Sequence, residues 1–466
     1  MKEKIYLYYT SDLHSHFENW PQIIGYFKDK VKKHSEADDN YWLLDNGDHV
    51  DRFHPITEGL MGKSNVNMLN RAGYHFANLG NNEGITLAHE DLYSLYDTAR
   101  FDIICANLKR HQGEQPKWLH SHKIVSTKQG AKIGIIGLTA PFETFYRMLG
   151  WEIEDPYAVL HRELNQIAAE VDIVILLSHL GINDDEEMAR RFPELDLIIG
   201  GHTHHLFKQG EVFHDTLVTA VGKHGTHLGE VILEWDHTNR ELTRSEAYAV
   251  STEYLDKDED TNQFIEDLSK EASSYLRREI AYLPEPEKIA WFSDTDLMIG
   301  LVRQLQKWTD ADVGMLNAGV LLDNLPKGKV TYEDVHRICP HPMNPCKVEL
   351  SGDELLEVIR AGHSRKLTEI RLKGLGFRGE VIGKMVFTGV NIDTFTDSEG
   401  EQHVKHVTYQ GRPLSSDETY SLATADTFTF GRLLPEIAYA QTKHYYMPEL
   451  LRDLLMETLK DMGTGS

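Results

Sequence analysis

The sequence predicts an α/β protein of two domains, on three observations. Short apolar runs rich in Val, Ile and Leu alternate with stretches of helical periodicity through the first half of the chain, the pattern of layered sheets and helices. Several of these runs lead directly into a polar segment, as buried strands do where they emerge at one sheet edge. The length, 466 residues, also exceeds what one hydrophobic core usually organises.

Taken in order, Lys4–Thr10 is the first expected strand and Trp20–Lys33 the first helix, with Ile23, Ile24, Phe27 and Val31 on one face. His34–Asn40 is polar and expected as a loop, and Tyr41–Leu44 is the next strand. Asn65–Ala72 forms a short helix; Ile103–Asn107 and Lys132–Leu138 are strands. A helix over Tyr157–Val171, a strand over Asp172–Leu177, a helix over Glu186–Phe192 and a strand over Leu195–Ile199 follow. Thr216–Val221 and Gly229–Trp235 alternate as closing strands, which places the first domain at 1–248. The acidic stretch Ser251–Asp260 and a helix over Thr261–Ile280, stopped by Pro284-Glu285-Pro286, make a linker at 249–285. The second domain, 286–466, starts with a helix at Thr295–Trp308 and a strand at Val313–Leu316. Ser351 caps a helix through Ala361. Strands are expected over Val381–Val390, Val404–Tyr409 and Tyr420–Ala425, and a last helix over Met447–Leu459.

Five polar segments follow apolar runs in the first domain: Ser11-Asp12-Leu13-His14, Asp45-Asn46-Gly47-Asp48, Leu79-Gly80-Asn81-Asn82-Glu83, Leu177-Ser178-His179 and Gly200-Gly201-His202-Thr203-His204. Each alone is an ordinary polar turn; an isolated Asp-x-His is commonplace. Together they place Asp12, His14, Asp48, Asn81, His179, His202 and His204 just past strand ends on one edge. Two carboxylates, four imidazoles and an amide there suit two divalent cations that share a carboxylate. Such a pair lowers the pKa of a bridging water, aims it at phosphorus and neutralises phosphoryl oxygens.

The order D-x-H, G-D, G-N-x-E, S-H, G-G-H-T-H resembles the calcineurin-like metallophosphoesterases, and within them the 5′-nucleotidase branch, over essentially the whole chain. The resemblance implies a four-layer α/β/β/α sandwich followed by an α+β substrate domain of the 5′-nucleotidase type. It implies two divalent ions, with Asp12, His14, Asp48 and His204 around the first and Asp48, Asn81, His179 and His202 around the second; such mixed His, Asp and Asn ligation suits Mn, Zn, Fe or Co about equally. It further implies hydrolysis of a small phosphorylated metabolite, a nucleotide or nucleotide derivative. The third segment departs from the family. The usual Gly-Asn-His-Glu has Asn82 at the catalytic His, and the Asp three residues on is Ile85. An amide donates a hydrogen bond but no proton, so good leaving groups are favoured unless His16, His49, His54 or Glu83 supplies the acid. The alternative is a weakened relative that binds metal and ligand.

In the second domain the family's N-x-G-G-[IV]-R is Asn317-Ala318-Gly319-Val320-Leu321-Leu322, and P-F-x-N is His341-Pro342-Met343-Asn344. The late glycine motif is reduced to Gly431-Arg432-Leu433-Leu434, with Phe428 and Phe430 close by. Asn317, Asn344, Phe428 and Phe430 are the candidate substrate contacts, and Arg371, Arg378 and Arg432 the candidate anion contacts.

Composition narrows the partners. A formal charge of −25 argues against a polymeric nucleic acid, which needs basic surface. No apolar run is long enough to span a membrane. The N-terminus enters a strand without a secretory signal, and Cys105, Cys339 and Cys346 form no disulfide framework. These features lead to the expectation of a cytoplasmic protein.

Overall fold

The computed structural model describes residues 1–464 apart from 373, 375, 399 and 432; Arg432, one of the three candidate anion contacts, lies outside the described residues. The chain divides into two compact units, Met1–Ala272 and Ser273–Ser466.

The first unit is built on two sheets. One has seven strands, with Lys2–Thr10 central between His227–Asp236 and Asn40–Asp45, followed by the two-residue strand Phe76–Ala77 and by Asp102–Ile104. The other has six, with Leu197–Gly200, Ile173–His179 and Lys132–Thr139 running parallel at its centre. Alternation along Ile173–His179 explains the layering. Ile173, Ile175 and Leu177 share a core with Ile5, Leu7 and Tyr9 of the facing sheet. Val174 and Leu176 pack outward against Val159, Leu160 and Leu164 of the helix Pro156–Ile167. On the far face of the seven-stranded sheet, Tyr8 packs on Phe27 of the helix Trp20–Ala37. Helix, sheet, sheet and helix make the four layers expected.

The second unit is α+β. Its five-stranded sheet runs in the order Met385–Thr388, Val313–Asn317, Thr419–Ala425, Pro345–Ser351, Lys443–Tyr445. The helices Asp296–Trp308, Gly352–His363 and Leu451–Thr464 accompany it, with a three-stranded antiparallel ribbon at 390–413.

Several boundaries differ from expectation, each for a tertiary reason. The first helix continues through the polar stretch to Ala37. There His34 is buried, stacked on Tyr6 and hydrogen-bonded to Tyr8 and Asp39. The helix at Glu259–Leu276 stops before Ile280, because Glu279–Leu283 is recruited as a strand by Gly328–Thr331. The expected strand Val381–Val390 is broken by Gly383 and Gly389, both at positive φ; only Met385–Thr388 belongs to the sheet, and Val390–Thr396 starts the ribbon. The last helix starts at Leu451, beyond Pro448, with the Asp453 carboxylate accepting from the Leu450 amide.

Candidate metal centre

The parallel strands Lys2–Thr10, Asn40–Asp45 and Phe76–Ala77 of one sheet and Ile173–His179 and Leu197–Gly200 of the other emerge at a common edge. The loops there are stitched to one another. The amides of Asp12 and His14 donate to the carbonyls of Gly47 and Asp48 at 3.0 and 2.7 Å. Two asparagines tie the sheets together: Asn46 Nδ2 donates to Ser178 O and Ile199 O, both at 2.9 Å, and Asn78 Nδ2 to Leu138 O and Leu177 O. The Glu83 carboxylate, fully buried, accepts from the amides of Asp48, Val50 and Gly80. Glycine is required at positions 47 and 80. A Cβ on Gly47 would lie 2.2 Å from Gly80 N, and one on Gly80 2.1 Å from the Asp48 carboxylate.

All seven expected residues converge on this edge. His14 Nε2 lies 3.1 Å from His204 Nε2 and 3.6 Å from Asp48 Oδ2. His179 Nε2 lies 3.3 Å from Asp48 Oδ2 and 3.8 Å from Asp12 Oδ1, and His204 Nε2 is 3.5 Å from Asp12 Oδ1. His202 Nδ1 is 2.7 Å from Asn81 Oδ1, and the His202 amide donates to Asp12 Oδ1 at 3.0 Å. Two placements differ from a simple run past strand ends: His179 is the last residue of its strand, and Asn81 starts a short helix, Asn81–Thr86. Asp12, His14, Asp48, His202 and His204 all sit at positive φ, between 49° and 69°. Left-handed backbone on non-glycine residues costs on the order of 1–3 kcal/mol each and gathers at functional sites.

The donor set fits divalent cations. Asp12, His14 and His204 bring ligand atoms within 4.8 Å of one another, as do Asp12, Asp48 and His179. His179 Nε2 is buried without a hydrogen bond, an expensive arrangement for a ring nitrogen unless it ligates. Its Nδ1 meets the Asn46 carbonyl at 2.7 Å, which leaves Nε2 free to face the two carboxylates. Asp48 stands between His14 and His179, one residue from each expected ligand set, where a shared carboxylate has to stand.

The carboxylates and imidazoles of the cluster act strongly on one another. Burial works against a proton on His179, but Asp48 and Asp12 outweigh it and raise the pKa to about 10. Burial also disfavours the Asp48 anion, yet His179 and His14 bring its carboxyl below the usual range. Burial lowers His202 to about 4 and His204 to about 3, so both rings are neutral and competent to ligate.

At the position where the resemblance implies an acid, the Asn82 backbone N–H donates to Asp48 Oδ1 at 2.7 Å, and its side-chain nitrogen is 2.9 Å from His14 Nδ1. The other acid candidates are occupied differently. Glu83 holds backbone amides. His49 is buried against Trp20, and His54 caps the helix Pro55–Leu60. His16 stacks on His224, with ring centroids 3.7 Å apart, and lies 3.6 Å from Glu18. Sequence reasoning assigned no role to Asn46 or Asn78, and it placed Asp51 only among the loop residues His49, Asp51, Arg52 and His54, one of which could reach substrate. Asn46 and Asn78 act through main-chain carbonyls far away in sequence, and Asp51 acts on a ring carried by a different loop.

In the second unit three of the four candidate substrate contacts are inside. Asn317 and Asn344 are buried, and their amides donate to the carbonyls of Ile382 and Glu449. Phe428 belongs to the core. Phe430 is 41% exposed and lies parallel to Tyr445. Of the candidate anion contacts, Arg371 is exposed, and Arg378 is half-buried with its guanidinium donating to Phe377 O. All three cysteines are buried free thiols. No helix among the described residues is long and apolar enough to cross a membrane.

Residues 6–206 match the family described as calcineurin-like phosphoesterase, and residues 288–432 the 5′-nucleotidase C-terminal domain. The chain is 42% identical to the "Uncharacterized metallophosphoesterase YunD" of Bacillus subtilis (strain 168), over 98% of this chain and 99% of that one. Among solved structures it is similar in fold to a 5′-nucleotidase precursor of Thermus thermophilus (TM-score 0.61, 19% identity, 99% and 97% of the two chains). The NAD nucleotidase of Haemophilus influenzae shares the fold as well (TM-score 0.68, 14% identity, 99% and 97%).

Proposed function

Because the chain belongs to the calcineurin-like metallophosphoesterases and carries a 5′-nucleotidase C-terminal domain, we propose that it is a two-metal hydrolase of small phosphorylated metabolites. Nucleotides or nucleotide derivatives with good leaving groups are its preferred substrates. The observation that carries this reading is the meeting of Asp48 with both His14 and His179 beside Asp12. Asp12, His14, Asp48 and His204 would hold one divalent ion, and Asp48, Asn81, His179 and His202 the other. Such ions supply Lewis acidity toward phosphoryl oxygens and acidify water.

The chain's own residues do the rest. The stitched loops fix the donors before substrate arrives, so little reorganisation is needed at the moment of reaction. The Asn46 main-chain carbonyl orients His179, and the Asn81 side-chain oxygen Oδ1 faces His202 Nδ1. Asn82 at the site can stabilise a leaving oxygen by hydrogen bonding but gives it no proton, so anhydrides and aryl esters suit it better than alkyl esters. Three buried free thiols support a reducing, cytoplasmic setting.

A phosphate-release screen over nucleotides, nucleotide sugars, sugar phosphates and aryl phosphates, with Mn²⁺ or Co²⁺ added, tests the reading. Turnover that rises steeply as the leaving-group pKa falls is the expected result. Metal binding without turnover of any of these classes would replace it with the second reading, a metal- and ligand-binding relative, which the loss of the acid at Asn82 favours.

A further inference from the structure

We infer that Asp51 is a positioning residue for His14: its carboxylate selects which ring nitrogen of His14 faces the metal site. The inference rests on the metal reading above.

His14 presents Nε2 to the cluster, 3.1 Å from His204 Nε2 and 3.6 Å from Asp48 Oδ2. Its Nδ1 points the other way, with Asp51 Oδ2 at 3.3 Å and the Asn82 side-chain nitrogen at 2.9 Å. A neutral imidazole carries one N–H and one lone pair. If Nε2 supplies its lone pair to an ion, Nδ1 has to carry the hydrogen and needs an acceptor. A carboxylate fills that need and also raises the basicity of Nε2. The amide of Asn82 can satisfy the same N–H only through Oδ1. An Asn side chain turned with Nδ2 toward Nδ1 opposes the ligating tautomer, so the choice between tautomers falls to Asp51.

Asp51 is built for this. Its residue is 1% exposed. Its backbone amide donates to the Ser15 hydroxyl oxygen at 2.8 Å, and its Oδ1 accepts from the Phe53 amide at 3.0 Å, so Oδ2 has a fixed direction. Ser15 follows His14 directly in the chain, and its amide donates to His49 O at 3.0 Å. The loop that carries His14 and the loop that carries Asp51 are therefore registered against each other on both sides of the contact.

The test is metal titration by calorimetry on metal-stripped wild type and Asp51→Asn, with Mn²⁺ as the probe. Thermal melting of the metal-free proteins is recorded alongside. The expected result is a loss of about 10–100-fold in affinity at one of two sites in the variant, with the metal-free melting temperature within a few degrees. Nitrogen-15 NMR of the Zn²⁺-loaded wild type, with His14→Ala for assignment, keeps the inference testable if the variant does not fold. A His14 ring protonated at Nδ1 and ligating through Nε2 supports it. Unchanged affinity in Asp51→Asn, or a His14 that ligates through Nδ1, overturns this inference and leaves the metal reading standing. A wild type that takes up no ion overturns both.

Discussion

A carboxamide cannot surrender a proton near neutral pH, and in this chain one occupies the position where its family places an imidazole. The amide is not idle: its backbone N–H holds Asp48 and its side chain reaches His14. On the proposed reading, the group lost is the donor of a proton to the leaving oxygen, a contribution worth roughly 10²–10⁴-fold where the leaving group is poor. Asn82→His should therefore raise turnover of alkyl phosphates relative to aryl phosphates by about tenfold or more, measured as the ratio of kcat/KM for a matched pair. An unchanged ratio would mean that another residue already donates the proton. Single residues were the most legible level of the sequence. His179, His202 and His204 stand out because they follow runs rich in Ile, Leu and Val, whereas Asp48 follows Tyr41–Leu44 and Asn81 only a short Phe-Ala strand, so those two are read from the order of all five segments. Asp51 and Glu83 were not legible in their roles. Glu83 accepts three backbone amides and Asp51 faces one ring nitrogen, and neither contact leaves a periodic mark in the sequence.

At the scale of elements, the centre depends on two sheets keeping their edges in register. Apolar packing between Ile5, Leu7, Tyr9 and Ile173, Ile175, Leu177 is non-directional and would tolerate some sliding. The directional contacts come from Asn46 and Asn78, whose side-chain nitrogens bind carbonyls of strands on the facing sheet. Asn78→Ala leaves the buried carbonyls of Leu138 and Leu177 without that donor and should cost about 1–3 kcal/mol. Urea unfolding followed by tryptophan fluorescence measures it; a cost below ~0.5 kcal/mol would show that packing alone sets the register. The long strands and helices of this unit were legible because their periods are sustained. Phe76–Ala77 is two residues long and carries no pattern, and the pairing of Glu279–Leu283 with Gly328–Thr331 is a long-range choice that helical periodicity in the preceding stretch obscured. In the second unit, glycines at 383 and 389 divide an apolar run that hydropathy alone presents as one strand.

For the molecule as a whole, two compact units imply that stability is not one number, and each unfolding transition has to be followed separately. Burial in the second unit raises the Asp426 carboxyl to about 7, well above an unfolded aspartate near ~3.9. The folded unit therefore holds a proton that the unfolded chain releases. The stability this contributes is fully present below the unfolded pKa and is lost as pH rises through the folded one. The transition of the second unit should weaken between about pH 4 and about pH 8, by up to ~4 kcal/mol from this group, and Asp426→Asn should flatten that dependence. An identical slope in the variant would assign the proton elsewhere. The acidic balance of −25 likewise acts on the whole molecule: the proposed anionic substrate would need local positive charge, which the proposed pair of divalent ions would supply. The most direct measurement is the number of ions per chain, by elemental analysis of protein loaded with Mn²⁺ and freed of excess, in wild type and in Asp48→Asn. Two ions in wild type and at most one in the variant are predicted; fewer than one in wild type, or two in both, would contradict a cage built on a shared Asp48.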